Sequence, residues 1–214
     1  MTKVNYLNDF SNHKQNTVFF ISKTQELTKI SLLKNVNFDT KNKSFLEYLL
    51  KNKRFNLNFT FNNKIYFYKI VLVSSSDHDL NIIGSSVING FEYDKNNFVN
   101  FYFADSLINK KNQVSQIILG FQIKNYKFKK YISNKDFYPE TIYVNKISSK
   151  IKKEIEYNQN LLSAINFTKD LVSEPANFLN PQTYADICKN IKIKGLKIKI
   201  LDLNSLKKIG MNAL

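Results

Sequence analysis

Few residues in this chain combine a reactive type with a spacing that chemistry can use. Asp77-His78-Asp79 comes nearest to a metal-binding group, with an imidazole between two carboxylates. It follows a stretch that reads as a strand, and ligands of α/β sheets gather at strand ends. Three consecutive side chains on a loop do not readily converge on one ion, and His13 is the only other histidine. The spacing favours a helix N-cap supplied by Asp77 or Asp79. Cys188 has no nucleophile or redox motif around it and falls inside a helical pattern, so it reads as a small buried apolar side chain. Gly84 and Gly90 lack the spacing and the following acidic residue of a dinucleotide fingerprint. From Tyr126 to Tyr131, aromatic and basic residues interleave (Tyr126, Lys127, Phe128, Lys129, Lys130, Tyr131), as on surfaces that stack single-stranded nucleic acid. The competing reading is an ordered loop whose aromatics pack between a sheet and a helix.

The bulk properties narrow the class. With 214 residues and 43% hydrophobic content, the chain has enough apolar surface for a real core. No run approaches the roughly 18 consecutive apolar residues of a membrane span, and the N-terminus shows no secretory pattern. A single cysteine excludes an intramolecular disulfide and fits a reducing compartment, so the cytoplasm is expected. The net charge of +15 invites a nucleic-acid reading. Against it, Arg54 is the only arginine, so bidentate readout is scarce, and the lysines are scattered beside abundant Asn and Ile. A solvated basic face is the expectation, and nucleic acid is not expected as a partner.

The elements that must position these residues alternate between strand and helix. Thr17–Ser22 (TVFFIS) and Ile65–Val73 (IYFYKIVLV) are apolar runs that suit buried strands, and Phe55–Phe61 (FNLNFTF) alternates as a half-buried one. Asn62-Asn63 turns the chain between the last two. Ser44–Lys51 puts Phe45, Leu46, Leu49 and Leu50 on one helical face. Asp79–Asn89 is predicted helical, with Gly84 compensated by close packing on a strand. Phe98–Phe103 is a strand, a helix capped by Asp105 or Ser106 runs to about Leu119, and Thr141–Asn145 is a short strand. A helix over 148–173 follows, with Ile151, Ile155, Leu162, Ile165 and Leu171 on one face, until Pro175 ends it. Thr183–Asn190 is predicted helical, Leu196–Leu201 (LKIKIL) alternates as a strand, and a helix from Asn204 to Ile209 ends at Gly210. The fold class is α/β: a mixed sheet flanked by helices, a long connecting helix, then a first helix-strand-helix of a further α/β unit. The predicted divisions are 1–146, 147–174 and 175–214.

Three stretches carry a family likeness. TKDLVSEPANFLNPQTYAD (Thr168–Asp186) resembles the segment entering the catalytic domain of leucyl (cytosol) aminopeptidases, where Arg-Asp-Leu-x-Asn-x-Pro-x-Asn-x-Leu-x-Pro is typical. Asp170, Leu171, Pro175, Asn177, Leu179 and Pro181 match, while Lys169 and Ser173 replace the usual Arg and Asn. LKIKILDLNSLKKIGMNAL (Leu196–Leu214) resembles the family's strand and helix ending in a Leu-Gly-Met-Gly-Ala-Leu type motif, with Asn212 in place of the second glycine. Upstream, Gly120, Tyr126, Phe128 and Tyr131 resemble a Leu-Gly-x-Tyr-x-Phe-x-x-Tyr-Lys segment, with extra residues after Gly120. The three together are specific where each alone is weak.

The resemblance implies a macro-domain-like N-terminal domain, the connecting helix and the beginning of a peptidase catalytic domain. It further implies a homo-hexameric metallopeptidase that removes N-terminal residues from peptides with two divalent ions (Mn or Zn), which polarise the carbonyl and supply hydroxide. The family's metal and catalytic groups lie in a Gly-Gly-rich stretch and an Asn-Thr-Asp-Ala-Glu-Gly-Arg signature, and neither motif occurs between Met1 and Leu214. No catalytic, metal or substrate-binding residue is therefore assigned, and no cofactor is expected on this chain. Gly120, Tyr126, Phe128, Tyr131, Asp170, Pro175, Asn177 and Pro181 are expected to be structural, and the chain is expected to be an N-terminal portion that is inactive alone.

Overall fold

A computed structural model of the chain describes residues 2–7, 16–23, 26, 56–61, 64–73, 79–88, 98–110, 112–131, 133, 139–145 and 147–211. The helix predicted at Ser44–Lys51, the Asn62-Asn63 turn, His13, Asp77, His78, Gly90 and Asn212 lie outside the described residues. Two compact units make up the chain, Met1–Phe167 and Thr168–Leu214.

The first unit is built on β2 (Thr17–Ile21), whose five residues TVFFI are all buried. A strand buried on both faces must be central, and β2 pairs in parallel with β4 (Lys64–Leu72) on one side and β5 (Phe98–Phe103) on the other. β3 (Asn56–Phe61) adds to β4 as the antiparallel edge, Asn56 opposite Lys69. β6 (Thr141–Val144) follows β5 in parallel, and β1 (Lys3–Tyr6) closes the other edge against β6. The order β1-β6-β5-β2-β4-β3 makes a six-stranded mixed sheet, the α/β class that the alternation predicts. β1 carries no sequence signal: its four residues KVNY are too short to show a period and form a strand only because β6 offers a ladder.

Helices cover one side of this sheet. α1 (Leu80–Ser86) joins β4 to β5, and α2 (Asp105–Ile108) and α3 (Gln113–Lys124) join β5 to β6. A single helix from Asp105 to Leu119 is not what forms. The polar run Asn109–Asn112 breaks it, with Asn112 left-handed at φ 63°, a conformation asparagine tolerates better than most residues. α4 (Ser149–Ser173) then buries Ile151, Ile155 and Leu162. Val18, Phe20, Phe101, Phe103, Ile142 and Val144 of the sheet meet Leu107, Ile117, Phe121, Ile151 and Ile155 of the helices in one core. Phe20 stacks on Phe103 at 4.7 Å between centroids, and Phe101 sets its edge to Phe121 at 5.0 Å. Such ring pairs add about 1 kcal/mol each beyond the area they bury.

Gly84 does pack closely, but on a helix and not on a strand. A Cβ on Gly84 would meet the backbone oxygen of Ile117 and lie 2.8 Å from its carbonyl carbon. One on Gly120 would meet the backbone oxygen of Asn81 and lie 2.5 Å from its Cα. Each glycine thus seats the other helix's backbone.

In the second unit, α4 ends at Ser173, and the Phe178 and Leu179 amides both donate to the Pro175 carbonyl at 2.9 Å. α5 (Pro181–Lys189) starts with proline at its first turn, where no amide donor is missed. α6 (Leu203–Lys208) ends as expected at Gly210, φ 80°: the Gly210 amide donates to Lys207 O and that of Met211 to Leu206 O, both at 3.1 Å. Leu196–Leu201, predicted as a strand, is not one. The alternation is there, but no ladder partner is present among the described residues, and a strand exists only in pairs.

Candidate functional site

The connections of the sheet single out one place. The chain leaves β2 toward β3 and β4, returns past β2 to β5, and leaves β5 toward β6. Neighbouring strands whose exits diverge leave a crevice outside their carboxyl ends, the usual ligand position in open α/β sheets. Ser22 follows β2 there, and Ala104, Asp105 and Ser106 follow β5. The Ala104 amide donates to Phe20 O at 2.9 Å, holding the two exits side by side.

The side chains that follow the two strands bond to one another. Ser22 Oγ and Ser106 Oγ lie 2.8 Å apart. Glu26 Oε2 accepts from the Ser22 amide at 2.8 Å, the Lys23 amide at 3.2 Å and Ser22 Oγ at 3.4 Å. Burial pushes the Glu26 carboxyl up, but hydrogen bonds from the Ser106 hydroxyl, the Ser22 and Lys23 amides and the Ser22 hydroxyl outweigh it and hold it below its ordinary value. A carboxylate held ionised by donors is a weak base, so Glu26 is poorly suited to activate either hydroxyl. The arrangement latches β2 to α2. The sequence contains its one signal, serine and carboxylate residues directly after two strand ends, which motif reading passes over.

Asp79 occupies the N-cap position of α1, but its side chain makes no capping bond; only its carbonyl receives the Ile82 and Ile83 amides, at 2.9 and 3.2 Å. Cys188 is half-buried on α5, less enclosed than the apolar reading expects. Tyr126, Phe128 and Tyr131 follow α3 in an irregular stretch. The first two are half-buried, Phe128 packs on Tyr131 at 5.7 Å, and Lys130 Nζ lies 5.5 Å from the Tyr131 centroid. Gly120 stands in α3 at the α1 crossing. Asp170 is exposed in the last turns of α4, and Pro175 and Asn177 are exposed in the turn after it. Asn180 caps α5, its Oδ1 accepting from the Thr183 amide at 3.0 Å and the Thr183 hydroxyl at 3.1 Å, with Pro181 next in the chain. Pro175 and Pro181 thus frame the connection between two helices, and nothing reactive gathers there among the described residues.

No group of three or more His, Cys, Asp and Glu side chains among the described residues stands where it could hold a metal ion. The donor set of a two-metal centre therefore does not fit on them. What these residues do build is a polar seam between α3 and α4. Gln122 Nε2 donates to Thr2 O at 2.9 Å and Asn125 Nδ2 to Thr2 Oγ1 at 2.8 Å and Pro139 O at 2.7 Å. Gln159 Nε2 donates to Gln122 Oε1 at 2.8 Å, Asn158 Nδ2 to Ser115 O at 3.2 Å, and Ser115 Oγ to Glu154 Oε2 at 3.3 Å. Lys152 Nζ lies 4.7 Å from the Tyr6 ring centroid. Burial, and then the Glu156 carboxylate, raise the Tyr6 phenol above its ordinary value. Amide, hydroxyl and carbonyl groups paired in this way fix the start of α4 in one orientation; they offer no nucleophile.

Comparison with known proteins supplies what the geometry lacks. No family model matches. A probable cytosol aminopeptidase of Phytoplasma australiense is 32% identical over 117 residues, covering 52% of this chain and 24% of that protein. One of Persephonella marina is 33% identical over 105 residues, covering 47% and 20%. The chain thus spans about a quarter of the length of the curated relatives it matches. Among solved structures, a tomato leucine aminopeptidase mutant superposes with a TM-score of 0.62 at 14% identity, over 88% of this chain and 42% of that one. A cytosol aminopeptidase from Coxiella burnetii gives 0.52 at 14% identity, over 86% and 36%. These likenesses place the α/β fold, and the sequence matches support the resemblance to leucyl aminopeptidases over about half the chain.

Proposed function

We propose that the chain is the N-terminal portion of a leucyl aminopeptidase, a hydrolase that removes N-terminal residues from peptides in the cytoplasm. The observation that carries this reading is the match to cytosol aminopeptidases at 32% identity over 117 residues. In this reading residues 1–146 are a macro-like domain serving assembly and access to a peptidase site in a homo-hexamer, and α4 links it to the first elements of the catalytic domain. The chemistry belongs to two divalent ions, Mn or Zn, held by groups that this chain does not contribute; when bound they polarise the scissile carbonyl and lower the pKa of water. The residues of the chain position: the polar seam orients α4, and Asn180 and Pro181 set the direction in which the chain enters the next domain.

On its own the 214-residue chain is inactive, because no Asn-Thr-Asp-Ala-Glu signature occurs in it. Hydrolysis of a leucine anilide by the purified chain, assayed with and without Mn and Zn, tests this directly. The expected result is no turnover above buffer under any metal condition. Metal-dependent turnover that chelation removes would overturn the inactivity.

A further inference from the structure

Donors from two strand exits meet on one carboxylate. Glu26 Oε2 accepts from two successive backbone amides, Ser22 at 2.8 Å and Lys23 at 3.2 Å, and from Ser22 Oγ at 3.4 Å. The Ser106 hydroxyl bonds the same carboxylate and lies 2.8 Å from Ser22 Oγ. Successive amides aimed at one point make a concavity of partial positive charge that selects anions. Hydroxyls rotate to donate to whichever oxygen is presented. The frame behind these donors does not rest on the Glu26 side chain. Ser22 directly follows the fully buried β2, whose end is held by the Val73 amide on Ile21 O at 2.8 Å and the Ala104 amide on Phe20 O at 2.9 Å. Ser106 stands two positions beyond Ala104.

We propose that Ser22, Lys23 and Ser106 form an oxyanion site that the chain's own Glu26 carboxylate occupies, and that takes a free phosphate or carboxylate group when Glu26 swings out. Glu26 is half-buried, so its carboxylate can leave toward solvent without opening the core. Four positions separate it from Ser22, which makes it an intramolecular competitor with an effective concentration on the order of millimolar. A free ligand has to exceed that competition, so the parent chain is self-inhibited and loss of the Glu26 carboxylate unmasks the site. The competing role for Glu26 is a plain cap on two amides. The two differ once the carboxylate is gone: a cap leaves its amides to water, whereas a site binds a replacement. The inference stands on the donors around β2 and β5 and does not depend on the peptidase reading.

Thermal unfolding of the full 214-residue chain and of Glu26→Ala, in sodium phosphate, sodium acetate and sodium chloride of equal ionic strength, tests the proposal. The midpoint of Glu26→Ala is expected to rise saturably in phosphate or acetate over chloride, by about 3 °C or more at ten times the half-saturating concentration. The parent is expected to shift by less than half as much, and the anion that saturates lower is the one the site fits better. Adding Ser106→Ala to Glu26→Ala is expected to raise the half-saturating concentration about tenfold, since a hydrogen bond to a charged group is lost. Should Glu26→Ala fail to fold in chloride, recovery of its far-UV circular dichroism spectrum in phosphate or acetate is the supporting result, and no recovery overturns the proposal. Equal shifts in parent and variant would be a general salt effect and overturn it as well. So does a folded Glu26→Ala that responds to neither anion, or a half-saturating concentration that Ser106→Ala leaves unchanged.

Discussion

The side-chain amides of Gln122 and Gln159 exchange two hydrogen bonds, Gln159 Nε2 to Gln122 Oε1 at 2.8 Å and Gln122 Nε2 to Gln159 Oε1 at 3.3 Å. Gln122 is buried and also holds Thr2 O, so this pair ties α4 to α3 and to the residues before β1 at one point. Truncating Gln159 leaves the buried Gln122 Oε1 without its donor, while Gln122 Nε2 keeps Thr2 O. Gln159→Ala is expected to cost about 1–2 kcal/mol in urea unfolding. The double variant with Gln122→Ala is expected to lose less than the sum of the single losses, with a coupling of about 0.5 kcal/mol or more. Strict additivity in that cycle would show that the two amides do not act as a pair.

Gly84 and Gly120 each seat the opposing helix's backbone. Alanine raises helix propensity by about 1 kcal/mol over glycine, so on local grounds either substitution stabilises. Here the new Cβ meets backbone atoms, which cannot step aside as a side chain can. Gly84→Ala and Gly120→Ala are therefore expected to lower stability by about 1–3 kcal/mol, seen as a lower urea midpoint. A midpoint that rises on either substitution would refute the close crossing of α1 and α3.

The Glu26 carboxylate yields a pH dependence with a definite sign. Its folded pKa lies below the ordinary value, so the unfolded chain binds the proton more tightly. The stabilisation is present in full above the ordinary glutamate range and fades as pH falls through the folded value. Glu26→Gln is expected to be less stable than the parent at neutral pH and to converge with it in acid. A gap between the two that holds constant down to pH values below the folded pKa would show that Glu26 contributes nothing through its charge.

Asn180 caps α5 through its side chain. Asn180→Ala is expected to remove about 1 kcal/mol from that helix. Faster hydrogen exchange at the amides of Thr183 and Tyr184, with β2 and β5 unaffected, is the measurement. Equal exchange in parent and variant would show that the cap is not formed.

The second unit contains no buried residue in α5 or α6. Its amides from 182 onward are expected to exchange faster than those of β2 and β5, whose hydrogen bonds open only with the core. Leu203, Ile209 and Met211 are exposed there beside the 196–201 segment, so concentration-dependent association is expected as well. Uniform protection through Met211 would show a core in this unit beyond what its described residues form.

Local chemistry made much of this protein readable from its residues. TVFFI at Thr17–Ile21 and FVNFYF at Phe98–Phe103 are strands because short apolar, aromatic and β-branched runs tolerate little else. The helix at Ser149–Ser173 follows from the spacing of Ile151, Ile155 and Leu162, and its end from Pro175. The motifs around Gly120, Pro175 and Pro181 resemble those of leucyl aminopeptidases in sequence alone, because such signatures are linear. Other features depend on groups far apart in the chain. KVNY at Lys3–Tyr6 is a strand only because Thr141–Val144 lies beside it, and LKIKIL at Leu196–Leu201 is none because no described residue pairs with it. Gly84 needed Ile117 to give it a reason, and Ser22 needed Ser106, 84 positions away, to form the latch at the sheet's switch point. A period or a motif is a property of neighbours in sequence; a ladder, a helix crossing and a site are properties of neighbours in space, and only folding brings those together.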